Sequence, residues 1–119
     1  MDLEALRRYC LAFPTATEDM PWPDDLCFKV GGKIFAGVSL STVPKGLTLK
    51  CAPETFAELV ELDGIAPAPY VGRYKWVRLQ GLDILRDGEL KDLIRQSYEM
   101  VAAKARPGRA KRRKKPRKK

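Results

Sequence analysis

The stretch LCFKVGGKIFAGVSL, residues 26–40, restricts the fold more than any other part of the chain. Leu26, Phe28 and Val30 alternate before Gly31-Gly32, and Ile34, Ala36, Val38 and Leu40 alternate after it. Two β-rich runs around a glycine pair form a hairpin signature in which each arm has one apolar side. A two-residue loop sets Val30 opposite Lys33 and mixes the faces. A three-residue loop containing both glycines pairs even positions with even positions and keeps the apolar sides together, unless a bulge intervenes. The longer loop is therefore expected.

Upstream, DLEALRRYCLAF at residues 2–13 places Leu3, Leu6, Cys10 and Phe13 on one face of a short amphipathic helix that Pro14 stops. TATEDMPWPDD follows, with two prolines around Trp22, and is expected to be a loop. Downstream, GLTLKC at 46–51 alternates as a third strand, and Pro53 suits the first turn of a helix that buries Phe56, Leu59 and Val60 and ends near Gly64. Pro67 and Pro69 exclude a central strand and predict an extended connector. RYKWVRLQG is the last expected strand, with Val77 and Leu79 on one side and Tyr74, Trp76 and Arg78 on the other. Asp87 is placed to cap a final helix with Leu90, Leu93, Ile94, Tyr98 and Val101 facing the core, running toward 103–106 before Pro107-Gly108. The expected class is α+β: a single small domain, residues 1–103, whose antiparallel sheet (three strands, helix, strand) is flanked by N-terminal, middle and C-terminal helices.

Charge is segregated along the chain. Of the 23 basic residues, eleven lie in 104–119 without a single acid, so the other twelve stand against all 15 acids and the body carries a formal charge of −3. So dense a block of like charge buries no apolar surface, and residues 104–119 are expected to form a disordered tail. Its Arg109, Lys111, Arg112, Arg113, Lys114, Lys115, Arg117, Lys118 and Lys119 are candidate nucleic-acid contacts, because neutralised phosphates release counterions and drive salt-dependent binding.

The chain has no His and three Cys without a Cys-x-x-Cys pair. A zinc site containing His or four Cys is excluded, no disulfide framework is expected, and each Cys is expected to be a small buried residue. Without His, a phosphate-binding glycine loop or a nucleophile motif, no enzyme is expected; Ser97 beside Tyr98 falls in a helix interior, not on a strained turn. No apolar run approaches a membrane span and no secretory leader precedes the helix, so a cytoplasmic monomer without membrane contact is expected.

The Trp22-Pro23 loop, FKVGGKIFA at 28–36, PAPY at 67–70, KWV at 75–77 and QSYEMV at 96–101 fall in the order of the MmcQ/YjbR family, which the chain resembles over nearly all of residues 1–103. The resemblance implies a CyaY-like arrangement likened to a double-wing DNA-binding domain of a phage transcription factor, and hence a DNA-binding protein. Lys33, Tyr70, Trp76, Ser97 and Tyr98 are family-pattern positions. Double-wing binding would use hairpin tips and so nominates Lys33 and Arg73 with Lys75.

Two other sites are considered on the residues alone. Opposite the apolar strand positions lie Lys29, Phe35, Lys50, Tyr74, Trp76 and Arg78, cations and aromatics suited to gripping phosphates and stacking on bases, or to packing under a helix. Glu18, Asp19, Asp24 and Asp25 match no cation-loop spacing, and are expected to be solvated carboxylates, available to attract the tail, with neither metal nor cofactor. The expected function is largely nonspecific electrostatic binding of DNA or RNA. The alternative is a protein-interaction module whose tail tunes solubility or engages acidic partners.

Overall fold

The computed structural model describes residues 1–69 and 74–105. Its first helix, α1 (Leu3–Leu11), starts where the Asp2 carboxylate accepts the Ala5 N–H at 2.8 Å, satisfying one of the donors that a helix start leaves unpaired. Leu6 and Cys10 of α1 are fully buried. Phe13, just beyond, stacks on Tyr98 and meets Phe35 edge-on.

Six strands and two further helices follow: β1 (Thr17–Trp22), β2 (Asp25–Val30), β3 (Lys33–Ser39), β4 (Gly46–Lys50), α2 (Pro53–Leu59), β5 (Ile65–Pro67), β6 (Trp76–Leu79) and α3 (Asp87–Ala105). They form one antiparallel sheet in the order β1-β2-β3-β4-β6-β5. Leu26, Phe28, Val38, Leu47, Leu49, Val77 and Leu79 make its inner face, against which α1 and α3 bring Leu6, Cys10, Leu90 and Ile94. The α+β class stands.

The strand count does not, because the expected four strands are six. The stretch expected to be a loop contains β1, and the expected connector contains β5. Both added strands carry proline and both are sheet edges, where one side of the backbone has no partner and the missing N–H costs no ladder bond. All six residues of β1 are exposed, so it lacks the apolar alternation that marks a strand in sequence. Instead it is tied to α1: the Arg7 guanidinium donates to both Glu18 carboxylate oxygens, at 2.9 and 2.6 Å.

The central hairpin also differs from expectation. Val30 pairs with Lys33 across a two-residue loop, and Gly31 and Gly32 both take positive φ (58° and 80°), as a tight primed turn requires. The faces nevertheless stay sorted, because a bulge intervenes. Lys29 pairs with Ile34 but Phe28 pairs with Ala36, leaving Phe35 as the extra residue. Past the bulge, even positions face even positions.

Helix α2 is shorter than expected, with turns replacing helix between Val60 and Gly64, where φ is 87°. Asp87 lies within the first turn of α3 instead of capping it. No helix among the described residues is long and apolar enough to cross a membrane. Of the expected disordered tail, residues 104–119, Lys104 and Ala105 belong to α3, as the expected run of the helix toward 103–106 allows, and the residues beyond 105 lie outside the described residues.

Candidate functional site

Period-two alternation sends Cys27 and Lys29 of β2, Ile34 and Gly37 of β3, Thr48 and Lys50 of β4, and Trp76 and Arg78 of β6 to the sheet face opposite the core. The bulge exchanges two residues relative to the sequence expectation: Phe35 turns inward and is fully buried, while Ile34 takes its place outside. Phe35 is therefore core, not part of a binding platform.

On this outer face lies a cleft of about 310 Å³ lined by strand residues alone, with Trp22, Cys27, Ile34 and Trp76 as its apolar walls and Asp25, Ser39, Thr48 and Arg78 as its polar edge. Gly37 forms part of the floor, and a Cβ there would meet nothing within 4 Å. Arg78 lies over Gly46 so closely that a Cβ at 46 would collide with the guanidinium. No hydrogen bond or ion pair occupies the guanidinium among the described residues. Trp22 is 58% exposed, an indole open to solvent beside the cleft.

Where β2, β3, β4 and β6 end together, a second hollow of about 420 Å³ adjoins the cleft and shares Ile34 and Trp76 with it. Lys29, Lys33 and Lys50 come from β2, β3 and β4, and Lys104 arrives from the last turn of α3. Only Lys29 has a carboxylate partner among the described residues, Asp19 at 2.9 Å. Burial, then the Lys104 charge beside it, holds the Lys50 ammonium below the ordinary lysine range. Helix and hairpin are in direct contact here: a Cβ on Gly31 would fall 2.6 Å from that of Ala105. Ala105, the last described residue, thus lies at the lysine-rich end of the domain.

The nominated residues separate accordingly. Lys33 and Trp76 meet at the lysine end, together with Lys29 and Lys50 of the proposed platform. Lys75, at φ 70°, lies instead with its ammonium 5.0 Å from the Phe56 ring centroid, so it does not join them. Arg73, Tyr70 and the candidates from Arg109 to Lys119 lie outside the described residues. At the tip of this hairpin Gly31 lies against Ala105 of α3, whereas Gly32 has open space around it and Lys33 is exposed.

Ser97 and Tyr98 have structural roles: Ser97 is fully buried with both hydrogen-bonding functions used, and the Tyr98 hydroxyl donates to the Pro14 carbonyl at 2.7 Å. Glu18 and Asp19 belong to β1 and are ion-paired to Arg7 and Lys29, which corrects the picture of four solvated loop carboxylates. No group of three or more potential metal ligands assembles among the described residues. All three thiols are buried, which pushes Cys10 up to about 12, Cys51 up to about 11, and Cys27 also upward. Sequence reasoning missed Trp22 and Gly37 as cleft residues. Trp22 sits in an exposed strand without periodicity, and Gly37 is marked in the sequence only as the one glycine within β3.

A sequence family described as YjbR matches residues 11–100. A crystal structure of a Deinococcus radiodurans protein with a DUF419 domain is similar at 29% identity and a TM-score of 0.78, over 86% of this chain and 79% of that one. A Pseudomonas syringae protein is similar in its crystal structure, with TM-score 0.69 and 22% identity over 85% of this chain and 99% of that one. Its solution NMR structure gives TM-score 0.66 at the same identity, over 85% and 93%. No curated protein matches the sequence.

Proposed function

The chain belongs to the YjbR family, and on that premise we propose that it is a nucleic-acid-binding protein whose folded domain contacts phosphates at the lysine end of the sheet. The observation that carries this is the convergence of Lys33, Lys50 and Lys104 with Lys29 around Trp76, in a body whose net charge is negative. Cations gathered with one carboxylate among four repel one another, and a bound phosphate relieves that repulsion. The basic residues after Ala105 in the sequence add further positive charge available to the same polyanion. Binding, not catalysis, is the role these residues suit.

The test is fluorescence anisotropy of a labelled single strand and a labelled duplex, across a salt series, with the full chain and with Lys33→Gln/Lys50→Gln/Lys104→Gln. Affinity should fall steeply with salt. The triple variant should bind more weakly and lose about one unit of log–log salt slope per lysine that contacts a phosphate. Unchanged affinity and slope would remove the folded domain from the contact.

A further inference from the structure

We propose that the cleft beside the lysine end receives an unpaired nucleobase, making single-stranded nucleic acid the preferred ligand of the site. This rests on the reading of the lysine end as a phosphate contact. Three observations carry it further. The cleft and the lysine hollow are neighbours that share Trp76 and Ile34, so one nucleotide unit spans both, base in the cleft and phosphate among the lysines. At about 310 Å³ the cleft lies at the lower end of the ~300–1,000 Å³ range of small-molecule pockets, room enough for one base. Its apolar lining includes two indoles, and its polar edge includes an Arg78 guanidinium with no protein partner among the described residues.

Chemistry distinguishes this ligand from a duplex. In B-form DNA the bases present only their edges, and their faces are occupied by stacking on one another; an indole can stack only on a base that has left the helix. The Arg78 fork supplies donors to the carbonyl and ring-nitrogen acceptors that such a base exposes. Gly37 leaves the floor open where any other residue would begin to fill it. The lysines alone would bind any phosphate chain; the cleft adds a requirement for a base.

Trp22 and Trp76 are the only tryptophans in the chain, so intrinsic fluorescence reports on the cleft directly. The full chain would be titrated with oligothymidylate, oligouridylate, an abasic strand of equal length, and a duplex. Oligothymidylate should quench the tryptophans and bind roughly tenfold to a hundredfold more tightly than the abasic strand, the scale of one stacked base. Oligouridylate, which differs from oligothymidylate in both its sugar and its missing 5-methyl group, should also bind more tightly than the abasic strand if the base is what is recognised; binding no tighter than the abasic strand would overturn the base pocket. Gly37→Ile, which keeps the strand backbone extended while filling the floor, should bind thymidylate and abasic strands alike. Trp22→Ala, at an exposed edge position, should shrink the same difference and serves if the first variant does not fold. Equal binding of thymidylate and abasic strands by the wild-type protein, or a base advantage that survives both variants, would overturn the cleft while leaving the phosphate contact standing. If no strand or duplex binds, the nucleic-acid function itself falls.

Discussion

The hydroxyl of Ser97 donates to the carbonyl of Phe35 at 2.6 Å, joining the middle of the last helix to the bulge of the central hairpin. The same oxygen accepts the Lys50 N–H at 3.1 Å. Ladder pairing between β3 and β4 ends at Ala36 and Leu49, so beyond that point the bulge separates two strands whose backbone groups need partners. Ser97 supplies both from the core side, and the lysine hollow opens where the strands part.

Ser97→Ala is therefore expected to cost more than a surface substitution. It leaves a buried carbonyl and a part-buried N–H unsatisfied, a loss of about 1–3 kcal/mol. Urea denaturation should show a lower midpoint at unchanged slope. A change inside ~0.5 kcal/mol, the range of neutral surface changes, would show that the bridge is not held in solution.

Gly31 and Gly32 should respond differently to alanine. Both have positive φ, so both variants incur about 1–2 kcal/mol for left-handed backbone. At Gly31 the added carbon also meets the Ala105 side chain at 2.6 Å, whereas at Gly32 it meets nothing. Thermal melts should place Gly31→Ala clearly below Gly32→Ala. Equal losses would mean that the end of α3 does not rest on the hairpin.

Lys50→Gln should separate binding from stability. The Lys50 backbone N–H still reaches Ser97, while the variant removes a charge that burial and Lys104 disfavour, so its stability at neutral pH should equal or exceed that of the wild type as its affinity for nucleic acid falls. The sign with pH follows from the lowered folded-state value. Between that value and the ordinary lysine value of the unfolded chain, the folded protein binds fewer protons, so stability rises with pH across that alkaline window. The wild type should gain on Lys50→Gln as pH rises there, read as converging denaturation midpoints. Parallel curves would show Lys50 to be freely solvated.

Thiol labelling offers a separate check on burial. Raising Cys10 from 9.0 to about 12 lowers its thiolate fraction roughly a thousandfold at neutral pH. Cys10 and Cys51 should resist iodoacetamide until the protein unfolds. Cys27, which lines the outer cleft instead of the core between sheet and helices, should react first and be protected by a bound strand. Rapid labelling of Cys10 in the native protein would contradict its place under α1.

Alternation at 26–30, 46–50 and 76–79, three- and four-residue spacing in α1 and α3, and proline and glycine punctuation determined the α+β class and the order of the principal elements. These are local signals, because side-chain direction in a strand or helix repeats with a fixed period along the chain. The sequence alone also separated an acidic body from a basic C-terminal segment, and Pro67 kept its segment out of the sheet centre. Tertiary structure decided the rest. A single bulge exchanged Ile34 and Phe35 between platform and core, which no periodic pattern encodes because the extra residue exists only relative to a partner strand. Edge pairing turned two proline-bearing stretches into strands, since an edge position needs only one ladder. Lys29, Lys33, Lys50, Lys104, Trp22 and Trp76 are scattered through the chain. Strand order and the landing point of the final helix bring them to one cleft and its rim, because convergence depends on which elements become neighbours.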